Sequence, residues 1–223
     1  MTDTPEPSGY YYPNRFGFIL FDALEGITGR NGLNAILNRA GLSQFISSPP
    51  PDVLDKGFDF AYISALNRAL EAMYGRRGGR GLQLRLGRVL FAQGLANFGA
   101  LVGVSDLAFK VLPLQAKLQA GLPAVAKVFD SLSDQVSYVR DPGGDQYHYV
   151  IEQCSMCWGH TVDRTGGFIA AGIIEEAVRW ISGGSTFRVD QVSCMGMGHA
   201  NCTFHVYKEP IGQALDFGCE SSG

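Results

Sequence analysis

Cysteine is the residue type in this chain best able to do chemistry, and four of its five copies form two pairs. The first pair is Cys154-Ser-Met-Cys157. The second, Cys194 and Cys202, brackets the seven residues Met-Gly-Met-Gly-His-Ala-Asn. Thiolate is a soft, charged ligand, suited to zinc and to iron–sulfur clusters. A C-x2-C turn lets two sulfurs face one ion and offers amide N–H groups to the thiolates. Cys154, Cys157, Cys194 and Cys202 are therefore the expected metal ligands, with Zn2+ as the first expectation and an iron–sulfur cluster as the alternative. Two other readings stay open: a site of three cysteines, in which His160 could replace a thiolate, and four free thiols. Redox exchange at Cys154/Cys157 lacks the βαβ surroundings that such sites use. Cys219, in a polar tail, reads as free.

The elements that must position these thiols follow from periodicity. Phe16, Ile19, Leu20, Ala23, Leu24 and Ile27 recur with helical spacing, and a second short helix over Leu33–Ala40 ends at Gly41. A third helix spans Phe60 to Tyr74 and stops at Gly75. Arg76-Arg-Gly-Gly-Arg-Gly81 reads as a basic, flexible linker, without the strand and Lys-Ser/Thr of a phosphate loop. A long helix over 82–101 comes next. Its small residues Gly87 and Gly94 permit close approach of a neighbour, and its Phe91 and Phe98, with Trp158, are candidate lining for a ligand pocket. Asp106 suggests a helix cap, and Pro123 the first turn of a helix to Leu132.

The period then changes to two. Val136, Tyr138 and Arg140, the turn Asp141-Pro-Gly-Gly-Asp145, then Tyr147, Tyr149 and Ile151 predict a β-hairpin whose second strand delivers Cys154 and Cys157. A helix over 165–182 leads to a strand ending at Cys194, and a last strand begins at Cys202. The 36 residues between Cys157 and Cys194 hold that helix and a return strand, so the pairs can meet. The expected fold is α+β: a helical first half, then a small antiparallel sheet with one crossing helix. The expected organisation is a flexible N-terminal tail over 1–14, a single domain over 15–208 and a C-terminal tail over 209–223. The tyrosine run Tyr10-Tyr11-Tyr12 needs a surface, either the domain's own or a partner's.

A net charge of −3, with 46% apolar and 17% charged residues, argues against a general nucleic-acid binder, which would carry a basic face. No apolar run is long enough for a transmembrane segment, and the first residues lack the pattern of a secretory signal, so a cytoplasmic protein is expected.

Val189-Asp-Gln-Val-Ser-Cys194-Met-Gly-Met-Gly-His-Ala-Asn-Cys202-Thr-Phe204 resembles the closing motif of the 4-vinyl reductase domain family: an acidic residue, Cys, a Gly-containing turn, Cys, one residue, Phe. Gly166, Gly167 and Gly172 on the preceding helix fit the same pattern. The family shares a fold with trafficking-complex subunits and with sensory domains of aromatic-responsive transcription activators. The resemblance implies a binder of a small hydrophobic molecule, often dimeric, in which some members hold zinc through the closing cysteines, an acidic residue and another cysteine. Gln191 stands where the acidic ligand belongs, so Cys154 and Cys157 would have to complete the set.

The leading functional expectation is a small-molecule binding or sensory protein with a cysteine-held metal site, its ligand hydrophobic, aromatic or tetrapyrrole-like. An accessory protein or enzyme subunit of bacteriochlorophyll or tetrapyrrole metabolism or of pigment–protein assembly, and a structural subunit of a larger complex, are the alternatives. The chain shows no dinucleotide or flavin fingerprint. Expected partners are the small molecule and a second copy or a complex, without direct contact to nucleic acid.

Overall fold

A computed structural model describes residues 4–98 and 111–212; the side chains of residues 97 and 98 fall outside the description. Asp106 and Cys219 also lie outside the described residues. The architecture is α+β, a helical first half followed by an antiparallel sheet crossed by one helix. The elements are β1 (Tyr11–Pro13), α1 (Asn14–Arg39), α2 (Gln44–Ser47), β2 (Lys56–Asp59), α3 (Phe60–Phe98), α4 (Leu114–Leu132), β3 (Ser137–Arg140), β4 (Gln146–Ile151), α5 (Phe168–Ser182), β5 (Phe187–Ser193) and β6 (Cys202–Pro210).

The tyrosine run lies on the chain's own body. β1 pairs antiparallel with β2, Tyr11 opposite Asp59 and Tyr12 opposite Phe58, and the Tyr12 ring is buried. Buried Asp59 accepts from the Ser8 hydroxyl (2.6 Å) and from the Ala61 amide (2.8 Å), which caps the start of α3. Asp134 accepts from the Tyr11 amide at 2.8 Å and pairs with Lys56. Sequence periodicity misses β1 and β2 because three or four residues are too few to show alternation.

Two helices break at glycine, at Gly75 where sequence places a stop and at Gly29, whose φ of 69° and 74° with ψ near 170° suit glycine. The flexible linker expected after Gly75 is corrected: Arg76–Gly81 is helical, and α3 doubles back on itself. A Cβ on Gly79 would lie 3.0 Å from the Glu71 Cα, and Gln83 donates to the Asn67 carbonyl at 2.9 Å. In a straight helix residues eight apart would be roughly 12 Å apart along the axis. Arg80 lies over the Phe168 ring at 5.0 Å, so the glycine-rich stretch is fixed by packing that composition does not announce. Pro123, expected in a first turn, lies inside α4.

The sheet order is β3-β4-β6-β5, every pair antiparallel. Tyr147, Tyr149 and Ile151 of β4 and Cys202, Phe204 and Val206 of β6 face the core. The alternate residues form an outer face, and α5 covers the inner one. α5 has an apolar stripe of Ile169, Ile173, Ala177, Val178 and Ile181, and it ends at Gly183 in the left-handed conformation, φ 84°.

α3 crosses α5 at backbone contact. A Cβ on Gly172 would meet the Leu84 carbonyl oxygen at 2.3 Å, and one on Gly87 would meet the Ile169 carbonyl oxygen at 2.1 Å. Backbone cannot yield as a flexible side chain does. Gly172→Ala is therefore expected to destabilise by about 1–3 kcal/mol or more through overpacking. Gly81→Ala, in an exposed helical position with nothing within 4 Å of the new methyl, should be neutral or stabilising by up to about 1 kcal/mol. Urea unfolding of the two variants checks the contrast; equal midpoints would show that the crossing tolerates a methyl.

Candidate functional site

Two turns bring the four paired cysteines together. Between β4 and α5 the chain makes a 3-10 turn at Ser155–Cys157; between β5 and β6 it makes another at Met195–Met197, closed by Gly198 at φ 89°. The Sγ atoms of Cys154, Cys157 and Cys202 all lie within 4.8 Å of one another, Cys157 and Cys202 at 3.7 Å. Cys194, buried at the start of the neighbouring turn, stands outside that tight set of three. The 3.7 Å separation matches the edge, roughly 3.8 Å, of a tetrahedron of sulfurs about 2.3 Å from a central ion. Cys154, Cys194 and Cys202 are buried and Cys157 is half-buried.

Backbone amides face the sulfurs. Met195 N–H points to Cys202 Sγ at 3.4 Å, Met156 N–H supports Cys154, and Gly196 N–H supports both Cys157 and Cys194. The four thiols cannot ionise alike. The hydrogen bond with Cys154, followed by those with Cys194 and Cys202, pushes Cys157 far below the ordinary thiol range. Cys154 and Cys194 are pushed up, each first by its bond to Cys157, and Cys202 first by its bond to Cys154.

Cys157 and Cys194 open onto a polar cleft of about 400 Å³ with Arg68 and His160 at its rim. An Arg68 nitrogen lies 2.9 Å from a His160 ring nitrogen. Burial and then the Arg68 charge hold His160 below the usual imidazole range. His199 packs back on its own turn, its Nδ1 3.1 Å from the Cys194 carbonyl oxygen. Gln191, at the position of the family motif's acidic ligand, is engaged elsewhere: its Oε1 accepts from the Gly167 amide at 2.8 Å at the start of α5, and its Nε2 donates to the Ser193 carbonyl at 3.1 Å.

The candidate pocket residues separate. Phe91 lines an apolar cavity of about 70 Å³ with Phe16, Leu90, Val125 and Phe129, between α1, α3, α4 and α5. Trp158 lies elsewhere, edge-on to Tyr10 at 5.0 Å and near Phe60. The Phe98 side chain lies outside the described residues.

A polar chain that periodicity does not reveal joins the cavity to the cysteines. Tyr12 lines the cavity; its hydroxyl donates to Gln135 Oε1 at 2.6 Å and lies 3.0 Å from the Ser155 hydroxyl, between Cys154 and Cys157 in sequence. Gln135 donates onward to Ser137 at 3.3 Å. All four residues are buried, and burial raises the Tyr12 phenol well above its ordinary range, so it stays protonated. The only hint in sequence is a tyrosine run followed by proline.

No family model matches the chain, and no curated protein matches it by sequence. Solved structures do. An H-NOX protein described in a study of heme distortion is 12% identical at a TM-score of 0.56, covering 91% of this chain and 98% of that one. An H-NOX protein from S. oneidensis in the Fe(II)NO ligation state is 14% identical at a TM-score of 0.52, covering 84% and 96%. The phenol-responsive sensory domain of the transcription activator PoxR, with phenol, is 16% identical at a TM-score of 0.50, covering 73% and 80%. At such identities the likeness establishes the fold.

These matches correct two expectations. The structural neighbours are H-NOX domains and a phenol-responsive sensory domain, and the 4-vinyl reductase resemblance does not stand. The motif behind it describes a local object, two strands and a glycine turn closing a thiol pair, which different folds can carry. Zn2+ or an iron–sulfur cluster as the cofactor is overturned by the same H-NOX neighbours, which are described by heme and Fe(II) ligation.

Heme, in turn, does not fit the described lining of this cavity. The cavity admits roughly five to seven water-sized groups, far fewer than a porphyrin. No histidine, cysteine or methionine is among its described lining residues, and its one phenol is committed to Gln135 and Ser155.

Tyr12→Phe keeps the ring and removes the hydroxyl, leaving Gln135 and Ser155 each short of a buried partner. A loss of about 1–3 kcal/mol is expected in urea unfolding. Unchanged stability would mean that the chain of hydroxyls relaxes freely.

Proposed function

We propose that this chain is a small-molecule-binding sensory domain whose ligand is an uncharged single-ring molecule, held in the cavity between α1, α3, α4 and α5. The observation that carries this reading is the cavity's chemistry. Its walls are Phe16, Phe91, Phe129 and aliphatic side chains, and no charged residue is among the described lining. At about 70 Å³ it excludes a multi-ring ligand, and it must widen around a single ring, since an apolar cavity of about 150 Å³ holds benzene. This favours a small aromatic or aliphatic ligand over the tetrapyrrole alternative. The fold shared with a phenol-responsive sensory domain supports the same class.

The four cysteines are proposed to hold one soft metal ion as a structural clasp. Three sulfurs within 4.8 Å of one another, a fourth buried cysteine on the adjoining turn and an amide directed at Cys202 support this reading. The ion would tie the β4–α5 loop to the β5–β6 hairpin and cancel thiolate charge that is costly to bury. Among the described residues no helix is long and apolar enough to cross a membrane.

Binding is tested with toluene and phenol as probes in equilibrium dialysis. Saturable uptake of one molecule per chain is expected for at least one probe. Gly94→Leu, which projects a side chain into a cavity-lining position with nothing within 4 Å, should abolish it while leaving helical content intact. Absence of saturable binding by both probes in the unmodified protein would reject the cavity as a ligand site. Elemental analysis tests the clasp: about one metal per chain is expected, lost in the Cys154→Ser/Cys157→Ser variant. Full retention by that variant would remove these thiols from the ligand set.

A further inference from the structure

The outer face of the sheet carries a row of side chains in register across all four strands: Arg140 opposite His148, His148 opposite His205, and His205 opposite Asp190. The two central imidazoles stack face to face, ring centroids 4.4 Å apart and planes 12° from parallel. Both rings are half-buried. The geometry points to a second cation site, independent of the cysteines: His148 and His205 form a cross-strand pair of imidazole ligands for a borderline divalent transition ion such as Ni2+ or Cu2+.

Imidazole nitrogen suits these ions, and two nitrogens on adjacent strands supply a chelate that one surface histidine cannot. The terminal torsion of histidine is broad, so stacked rings need only tilt for one nitrogen of each to approach a shared ion at roughly 2 Å. Water fills the remaining positions.

The surroundings are compatible with a dication. Arg140 is the nearest cation in the row, but its guanidinium is drawn onto the Tyr138 ring at 4.7 Å and donates to the Tyr138 hydroxyl at 2.7 Å. Arg188 is likewise engaged, over the Tyr207 ring at 4.9 Å and paired with Asp190 at 2.6 Å. Asp190 and Asp145 both act on His205 as negative charge. Burial, and then His148, keep His205 below the usual imidazole range, so at neutral pH its nitrogen is free to coordinate. The pair lies on the solvent side of β4 and β6, opposite the core-facing Cys202, and shares no ligand with the cysteine cluster.

Titration of the full-length protein with Ni2+ at pH 7.5, followed by paramagnetic broadening of backbone amide signals, separates the two sites. Broadening centred on residues 148 and 205 is expected, with affinity weakened at least about tenfold by His148→Gln or by His205→Gln alone. It should persist in Cys154→Ser/Cys157→Ser. Broadening confined to the cysteine turns, or unchanged by both histidine variants, would overturn the assignment, as would absence of any Ni2+-dependent broadening. Both histidines face away from the core, and circular dichroism checks that each variant remains folded.

Discussion

The structure depends on one close contact, the crossing of α3 over α5 at Gly87 and Gly172. There the two backbones approach so closely that a methyl on either glycine would overlap a carbonyl oxygen. Helix axes that approach to this extent leave little freedom in angle or register, because any slide brings larger side chains into the contact. α5 rests on the sheet by its other face, so the crossing sets how the helical half sits on the β half. Leu90, Phe91 and Gly94 of α3 are thereby placed as the cavity wall. The same crossing holds the first arm of α3 beside the cysteine loop, where Asn67 donates to the carbonyls of Met156 and Gly166 at 3.2 and 3.0 Å.

The sequence reveals the parts governed by local period. Alternation in 136–151 and 187–206 identifies the strands, and β5 and β6 join through the glycine turn that their spacing implies. The convergence of the four cysteines is legible for the same reason: strand ends fix where Cys194 and Cys202 lie, and a C-x2-C turn needs little space. What is not legible depends on contacts between distant residues. Arg76–Gly81 has the composition of a linker yet is helical because Gly79 meets Glu71 and Arg80 meets Phe168. Pro123 satisfies the rule for a first turn, but α4 begins nine residues earlier, at Leu114. Phe91 and Trp158 are both aromatic, and nothing local indicates that one faces a cavity and the other the N-terminal tyrosines.

The same distinction explains why a specific-looking motif does not identify a fold. Cys194 through Phe204 encodes a hairpin that closes a thiol pair over a buried aromatic residue, a solution available to any antiparallel edge. The likeness of the whole fold, at 12–16% identity to the matched structures, leaves no comparable trace in the sequence. Gln191 is informative here. A carboxylate at that position would serve a metal, whereas the amide serves the start of α5 and the end of β5. In the proposed clasp, Cys154 and Cys157, which precede α5 in the chain, would complete the four-sulfur set.

The cavity and the cysteine turn cannot be treated as separate. The Tyr12 ring forms part of the cavity wall, while its hydroxyl is held by Gln135 and by Ser155, the residue next to Cys154 in the chain. Displacing that ring without moving Ser155 would strand buried hydrogen-bonding groups, at about 1–3 kcal/mol. Moving Ser155 along with the ring would shift the turn that carries Cys154 and Cys157, whose sulfurs must keep their spacing to Cys202 within a few tenths of an ångström to share one ion. An occupied clasp would therefore stiffen the far wall of the cavity, and a ligand that fits without displacing Tyr12 would be favoured over a larger one. Selection by size then arises from hydrogen-bond connectivity as much as from the volume of the cavity.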